Sequence, residues 1–136
     1  MRLIDGPVTT SVISEVIAKG GENYDTEAHS LFLGQVREDQ IEGKKVKAID
    51  YSAYEEMVFM EADKINKTIL SEFDEVKTIE IIHSKGHVKT GEISLLVMIS
   101  AGRRDQSAKA CAKAVELIKE KLPILRKEIF ENDPEK

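Results

Sequence analysis

The sequence has little of what marks secreted, membrane-spanning or nucleic-acid-binding proteins. One cysteine occurs in 136 residues, so no disulfide can form within the chain, which fits a reducing cytoplasm. No apolar run approaches the roughly 18 residues that suggest a membrane span, and residues 1–7 lack the apolar stretch of a signal peptide. The formal net charge of -5 argues against a general nucleic-acid binder. We therefore expect a cytoplasmic protein that binds neither membranes nor nucleic acids.

In other respects the composition is that of an ordinary globular protein, with 41% hydrophobic and 33% charged residues. A chain of this length buries about two-thirds of the surface that it exposes when unfolded, which is enough for one hydrophobic core. The sequence shows no internal repeat, low-complexity tract or linker. We predict a single domain over residues 1–136.

Hydrophobic periodicity predicts the element order α-β-β-α-β-β-α. The predicted helices are 7–21, 55–73 and 105–122, and the predicted strands are 28–38, 45–54, 76–86 and 92–100. The last two strands are joined by a turn at 87–91, and the final strand is apolar enough to be buried on both faces. This order predicts an α+β fold, in which helices pack on one side of a mainly antiparallel sheet.

The last predicted helix ends at Pro123, because proline lacks a backbone N–H donor and disfavours helix in the residue before it. Its predicted core stripe is Ala108, Cys111, Ala112, Val115, Ile118 and Leu122. The predicted stripe of the second helix is Val58, Ala62, Ile65, Ile69 and Phe73.

Positive charge is concentrated near the C-terminus despite the acidic balance. From Arg103 to Lys127 there are eight Lys or Arg residues and three acidic ones, and the segment KEKLPILRKE at 119–128 holds four of the cations. Such clustering focuses a positive field on one region and predicts a pocket for an anion. The alternative is a solvated helix face, which accounts for Lys109 and Lys113 but less well for the arginine pair at 103–104.

Lys119 stands out among these cations because it flanks the predicted core stripe in the last turn of the helix. A flanking lysine most often extends its ammonium into water. However, Lys121, Arg126 and the pair at 103–104 would disfavour a further positive charge if all of them lay in one pocket. Lys119 could then serve as a nucleophile or general base.

Arg37 follows a glycine in the strand segment GQVRED, where the backbone can approach a ligand closely. Its guanidinium could clamp a phosphate or carboxylate bidentately. The alternative is a surface salt bridge with Glu38 or Asp39.

The remaining reactive residue types favour structural roles. Cys111 lies among alanines on the predicted core stripe, so we expect a buried, unreactive thiol. His83 and His87 are separated by a turn glycine, and no nearby cysteine completes a zinc site. We expect no bound metal and no cofactor.

Taken in order, four segments resemble the large, catalytic subunit of molybdopterin synthase. They are FLGQVRED, DYSAYEEM, IIHSKGHVKTGE and RRDQSAKACAKAVELIKEKLPILRKE, within residues 29–128. The resemblance implies an α/β-hammerhead fold and a central homodimer with a ubiquitin-like small subunit at each end, a heterotetramer. It also implies that the small subunit's Gly-Gly tail, ending as a thiocarboxylate, donates sulfur to cyclic pyranopterin monophosphate. The product is the dithiolene of molybdopterin.

The resemblance also implies roles for individual residues. Lys119 matches the lysine that contacts the thiocarboxylate tail, and Arg37 matches an arginine of the pterin pocket. The family's second active-site lysine aligns with Arg126, which can bind charge but cannot act as a base, while Lys127 falls one position later. Either residue could take that role, and on an extended segment the two would point to opposite sides.

The substrate-binding candidates lie at both ends of the last helix. Arg103 and Arg104 match a His-Arg pair that is contributed across the dimer and binds the substrate phosphate, with Arg103 in place of the histidine. Lys121 completes the predicted substrate-binding set, and Leu125 stands where the family has tryptophan.

Two alternatives to the synthase hypothesis remain at this stage. The first is a non-catalytic relative that binds the small subunit or a pterin phosphate without turnover, which the arginine at 126 favours. The second is an unrelated phosphate-binding α+β protein.

Overall fold

The computed structural model describes residues 1–134, which form three helices and seven strands. The elements in chain order are β1 (Arg2–Asp5), α1 (Thr10–Gly20), β2 (Ala28–Gln35), β3 (Gln40–Ile41), β4 (Lys44–Ala53), α2 (Glu55–Glu72), β5 (Val76–Lys89), β6 (Ile93–Ala101), α3 (Arg104–Lys121) and β7 (Ile124–Phe130). Within residues 1–134, none of the three helices has the combination of length and apolar composition that a membrane span requires.

The strands form one sheet whose main path is β2-β6-β5-β4-β3, with β1 added to β5 and β7 added to β4. The pairing of β1 with β5 is parallel, and the other pairings are antiparallel. Every residue of β6 after Ile93 is buried, as predicted for a strand covered on both faces. The α+β class with a mainly antiparallel sheet is confirmed.

The two long helices pack together on one side of the sheet. The buried stripe of α2 is made of Val58, Ala62, Ile65 and Ile69, which are four of its five predicted residues. It meets α3 and alternate residues of β6 in the main core. Helix α1 differs, because its Val16 packs with Leu96 and Met98. Neighbouring strand residues point to opposite faces, so α1 covers the other side of the sheet.

The core stripe of α3 differs from the prediction by a rotation of the helix. Its buried residues are Ser107, Ala110, Cys111, Ala114 and Ile118, whereas the predicted Ala108 and Ala112 are exposed. Small residues at 107, 110 and 114 let the helix backbone approach β6 closely, so the true stripe is less hydrophobic than the predicted one. Hydrophobic periodicity alone therefore selected Ala108 and Ala112, whereas the buried alanines are Ala110 and Ala114.

Strand β5 is longer than predicted and bends where it changes partners. It pairs with β6 as far as His83 and with β4 from Gly86 to Lys89, so the predicted turn at 87–91 is wrong in its first part. Gly86 has φ +80°, a left-handed conformation that a residue with a side chain adopts only at a cost, and it joins the two halves. The turn itself lies at Thr90–Gly91.

Three strands of the structure, β1, β3 and β7, were not in the predicted element order. The short β1 has only two apolar residues, Leu3 and Ile4, and its order depends on parallel pairing with β5. Strand β7 begins directly after Pro123 and pairs antiparallel with β4, from Ala53 to Val46. This pairing places Arg126 opposite Tyr51 and Lys127 opposite Asp50.

Candidate active site

A cavity of about 560 Å³ opens where the C-terminal end of α3 meets the bent part of the sheet. Its wall is built from β2 and the loop after it, β4, β5, β6, the end of α3 and β7. The lining residues are Phe32, Gly34, Gln35, Val36, Arg37, Asp39, Ile49, Tyr51, His83, Ser94, Leu95, Ile118, Lys119, Leu122, Ile124 and Arg126. Three of these are cations that sequence analysis had singled out.

Lys119 is placed by the last turn of α3. Its neighbour Ile118 is buried in the core and accepts the backbone N–H of Leu122, which closes the helix. The Lys119 ammonium then extends over the ring of Phe32, with Nζ 5.7 Å from the ring centroid. At that distance the negative face of the ring attracts the ammonium and restricts where it lies.

Arg126 shares this cavity with Lys119, whereas Lys127 does not line it. In the β4–β7 ladder Arg126 is opposite Tyr51, and Lys127 is opposite Asp50. Because residues on a strand alternate between faces, Lys127 points to the face where Asp50 accepts a hydrogen bond from His87, at 2.8 Å. The chain therefore brings the arginine, and not the neighbouring lysine, to Lys119.

Arg37 lies at the mouth of the cavity with most of its side chain exposed. Its Nε donates to Asp39 Oδ1 at 2.5 Å, so the predicted surface salt bridge is present. The guanidinium has further N–H donors beyond Nε. The irregular register at Gly34 and Gln35 brings this segment to the cavity rim.

Arg103 and Arg104 lie at the opposite end of α3 and do not join this cavity. They line a separate depression with Glu27 and Asp105. Fifteen residues of helix separate Arg104 from Lys119, or about 22 Å at 1.5 Å per residue. Lys121 is exposed and is not among the residues that line the main cavity. Within a single chain, therefore, Arg103, Arg104 and Lys121 do not share a pocket with Lys119.

Sequence analysis missed the polar floor of the cavity. His83 is buried there, its Nδ1 lies 2.8 Å from the carbonyl oxygen of Ser84, and its ring meets the ring of Tyr51 edge-on at 5.0 Å. The Tyr51 hydroxyl donates to Ser94 Oγ at 3.1 Å. Burial lowers the pKa of His83, the hydrogen bond to Ser84 opposes that shift, and the charge of Arg126 adds to it. The imidazole is therefore neutral at pH 7.

The structure gives no sign of a reactive thiol or of a metal-binding cluster among the described residues. Cys111 is buried in the core, and burial raises the pKa of its thiol, so the thiolate is disfavoured. Within residues 1–134, no three His, Cys, Asp or Glu side chains are grouped so that they could hold a metal ion. The absence of a metal and of a cofactor stays a prediction.

Residues 7–121 match the sequence model of a protein family described as MoaE protein. The chain belongs to this family. Among MoaE relatives, the molybdopterin synthase catalytic subunit of Dictyostelium discoideum is 41% identical over 109 residues, which are 79% of this chain and 68% of that protein. The subunit of the same name from Drosophila pseudoobscura pseudoobscura is 34% identical over 133 residues, or 98% of this chain. The chain spans only 36% of the length of that fly protein.

Solved structures of MoaE relatives share the fold. The molybdopterin synthase of Staphylococcus aureus superposes with a TM-score of 0.82 at 29% identity, covering 96% of this chain and 91% of that one. A complex of subunits 1 and 2 of the molybdopterin-converting factor from Helicobacter pylori gives a TM-score of 0.81 over 97% of this chain and 86% of that one. Its identity is 19%, so that likeness concerns the fold alone.

Proposed function

We propose that the protein is the catalytic subunit of a molybdopterin synthase, a sulfurtransferase of molybdenum cofactor biosynthesis. The observation that carries the proposal is the cavity that Lys119, Arg126 and the exposed Arg37 line together. In the proposed reaction, the thiocarboxylate at the Gly-Gly tail of a ubiquitin-like small subunit gives its sulfur to cyclic pyranopterin monophosphate. Two such transfers form the dithiolene of molybdopterin.

The charges of the cavity suit this chemistry. The substrate phosphate and the thiocarboxylate are both anionic, and cations fixed in a partly closed site stabilise negative charge more strongly than water does. Lys119 assists the attack on the pterin side chain by proton transfer or by stabilising the transient charge. Arg126 stays protonated, so it binds and orients an anion and does not move a proton. Arg37 clamps an anionic group at the mouth.

A homodimer would bring the distant arginines to this site. Within residues 1–134, β6 is the only strand that pairs with β2, and Leu31 and Leu33 of this edge strand are exposed. Such an edge is a template for pairing with another chain. Two-fold antiparallel pairing would set the start of one β2, beside Arg103 and Arg104, next to the end of the partner's β2, beside the cavity. We propose that this pair binds substrate phosphate across the dimer.

The complete assembly would then be a heterotetramer, with a small subunit at each end of the central homodimer. The loop after β2 and the end of α3 both line the cavity, and we propose that the peptide tail enters between them. We place the reaction in the cytoplasm, which suits a chain whose single cysteine is free.

The direct test is single-turnover conversion of cyclic pyranopterin monophosphate by this protein and a thiocarboxylated small subunit. We expect product from the wild type and a loss of about 100-fold or more in rate for Lys119→Ala, because its charge acts at the reacting groups. Arg126→Ala should lose about 10- to 100-fold on the same grounds. Lys127→Ala is the matched control on the opposite face of β7 and should retain the wild-type rate.

Other outcomes of the single-turnover experiment would favour a different function or a different catalytic residue. A stable complex with the small subunit but no product from the wild type would favour the non-catalytic alternative. Failure to bind either the small subunit or the pterin would leave an unrelated anion-binding protein. A loss in Lys127→Ala equal to that in Arg126→Ala would contradict the assignment of Arg126.

A further inference from the structure

The cations that line the cavity can bind the anionic groups of a ligand, but they cannot accept hydrogen bonds from its N–H groups. Lys119, Arg126 and Arg37 carry N–H donors and no acceptor. The one carboxylate that lines the cavity, Asp39, is held by Arg37. A heterocyclic ligand with N–H groups would therefore lose hydrogen bonds to water on entering unless another acceptor faces the cavity.

His83 has a nitrogen that fits this need. Its Nδ1 lies 2.8 Å from the Ser84 carbonyl oxygen, which can only accept, so Nδ1 carries the hydrogen. In a neutral imidazole the other nitrogen, Nε2, then has a free lone pair and is an acceptor. Nε2 is not a buried atom without a partner, because among the described residues such side-chain atoms occur only in Thr26, Asn66 and Ser84. Since His83 lines the cavity, its Nε2 is open to a ligand there.

The surroundings hold the ring in this state. Tyr51 packs edge-on against the imidazole and is itself fixed by its hydrogen bond to Ser94. The charged and titratable groups that share the cavity are Arg37 and Asp39 after β2, Tyr51 on β4, Lys119 on α3 and Arg126 on β7. Burial and the charge of Arg126 oppose a proton on Nε2, which keeps it an acceptor.

We propose that His83 is a substrate-binding residue whose Nε2 accepts a hydrogen bond from an N–H group of the heterocyclic substrate. That this ligand is cyclic pyranopterin monophosphate rests on the proposed function. The cations hold the anionic groups of the ligand, and His83 fixes the orientation of its ring system. This division of roles gives the cavity selectivity for an anionic ligand with an N–H donor over a simple phosphate.

The test compares two amide substitutions by calorimetric binding of cyclic pyranopterin monophosphate. In His83→Gln the side-chain amide reaches the position of Nε2 and can present its oxygen there, whereas in His83→Asn the amide stops near the position of Nδ1. We expect His83→Asn to raise Kd about 10-fold, the worth of one good hydrogen bond to a buried group. His83→Gln should stay within about 3-fold of the wild type. His87→Gln, on the same strand but outside the cavity, is the matched control and should bind like the wild type.

A second readout does not depend on the ligand. The ¹⁵N shifts of the His83 ring in the free protein at pH 7.5 should show a protonated Nδ1 and an unprotonated Nε2. A protonated Nε2 would overturn the inference. So would equal binding by both variants, whether both match the wild type or both are weakened, since the ring would then act through packing or not at all. Absence of binding by the wild type would overturn the proposed function together with this inference.

Discussion

At the scale of single residues, the cavity couples a buried imidazole to a fixed positive charge. Burial is the larger cause of the lowered pKa of His83, and the charge of Arg126 adds to it. We therefore expect Arg126→Gln to raise the pKa of His83 towards 6.5 without reaching it, because burial remains. Titration of the imidazole signals by NMR measures the shift. Lys127→Gln removes an equal charge from the opposite face and should leave this pKa in place.

The same histidine makes the stability of the fold depend on pH. Its pKa is 6.5 when exposed and lower when folded, so between these two values the unfolded chain binds more protons than the folded one. The free energy of unfolding should therefore fall as pH drops through about 6.5 towards the folded pKa, and it should level off above 6.5. Urea unfolding from pH 5 to 8 measures this. His83→Gln should be less pH-dependent across that window, and an unchanged slope would contradict the assignment.

At the scale of elements, the placement of α3 can be tested through its alanines. Ala114 is fully buried against the sheet, whereas Ala112, two residues away, is exposed. We expect Ala114→Leu to lower the free energy of unfolding by about 1–3 kcal/mol, because the added methylenes force apart a packed interface. Ala112→Leu adds the same atoms to the surface and should change it by no more than about 0.5 kcal/mol. A larger loss for Ala112→Leu than for Ala114→Leu would favour the stripe that periodicity predicted.

Sequence analysis predicted best those elements whose buried residues can be recognised from the hydrophobic pattern of their own segment. The stripe of α2 and the doubly buried β6 depend on local hydrophobicity, and the structure confirms both. The stripe of α3 was misplaced because close packing there depends on small side chains, including Ser107, which hydrophobicity does not reward. Strand β1 was missed because its order comes from β5, a partner distant in sequence.

The candidate site shows the same division between local and long-range information. Alternation along a strand was enough to predict that Arg126 and Lys127 point to opposite sides, but the β4 register was needed to tell which one reaches Lys119. The role of His83 had no local signal, since its cavity forms only where β5 bends and changes partners.

At the scale of the whole molecule, one chain holds only part of the proposed site. Arg103 and Arg104 sit about 22 Å along α3 from Lys119, by helix rise. The chain thus carries two separate groups of cationic side chains, one at each end of α3. If both groups bind the same substrate molecule, the arginine pair of one chain must lie beside the Lys119 cavity of a second chain.

Mixing two inactive variants tests this arrangement. In a heterodimer of Lys119→Ala with Arg104→Ala, one site carries both defects and the other carries neither, provided that Arg104 acts across the dimer. Co-expression should then restore about one quarter of wild-type single-turnover activity, because half of randomly formed dimers are mixed and each has one intact site. The matched control is a mixture of Lys119→Ala with Arg126→Ala, whose residues share one cavity within a chain. Every site in that mixture has a defect, so no recovery is expected. Recovery in neither mixture, from dimers shown by mass spectrometry to be mixed, would mean that Arg104 does not complete the partner's site.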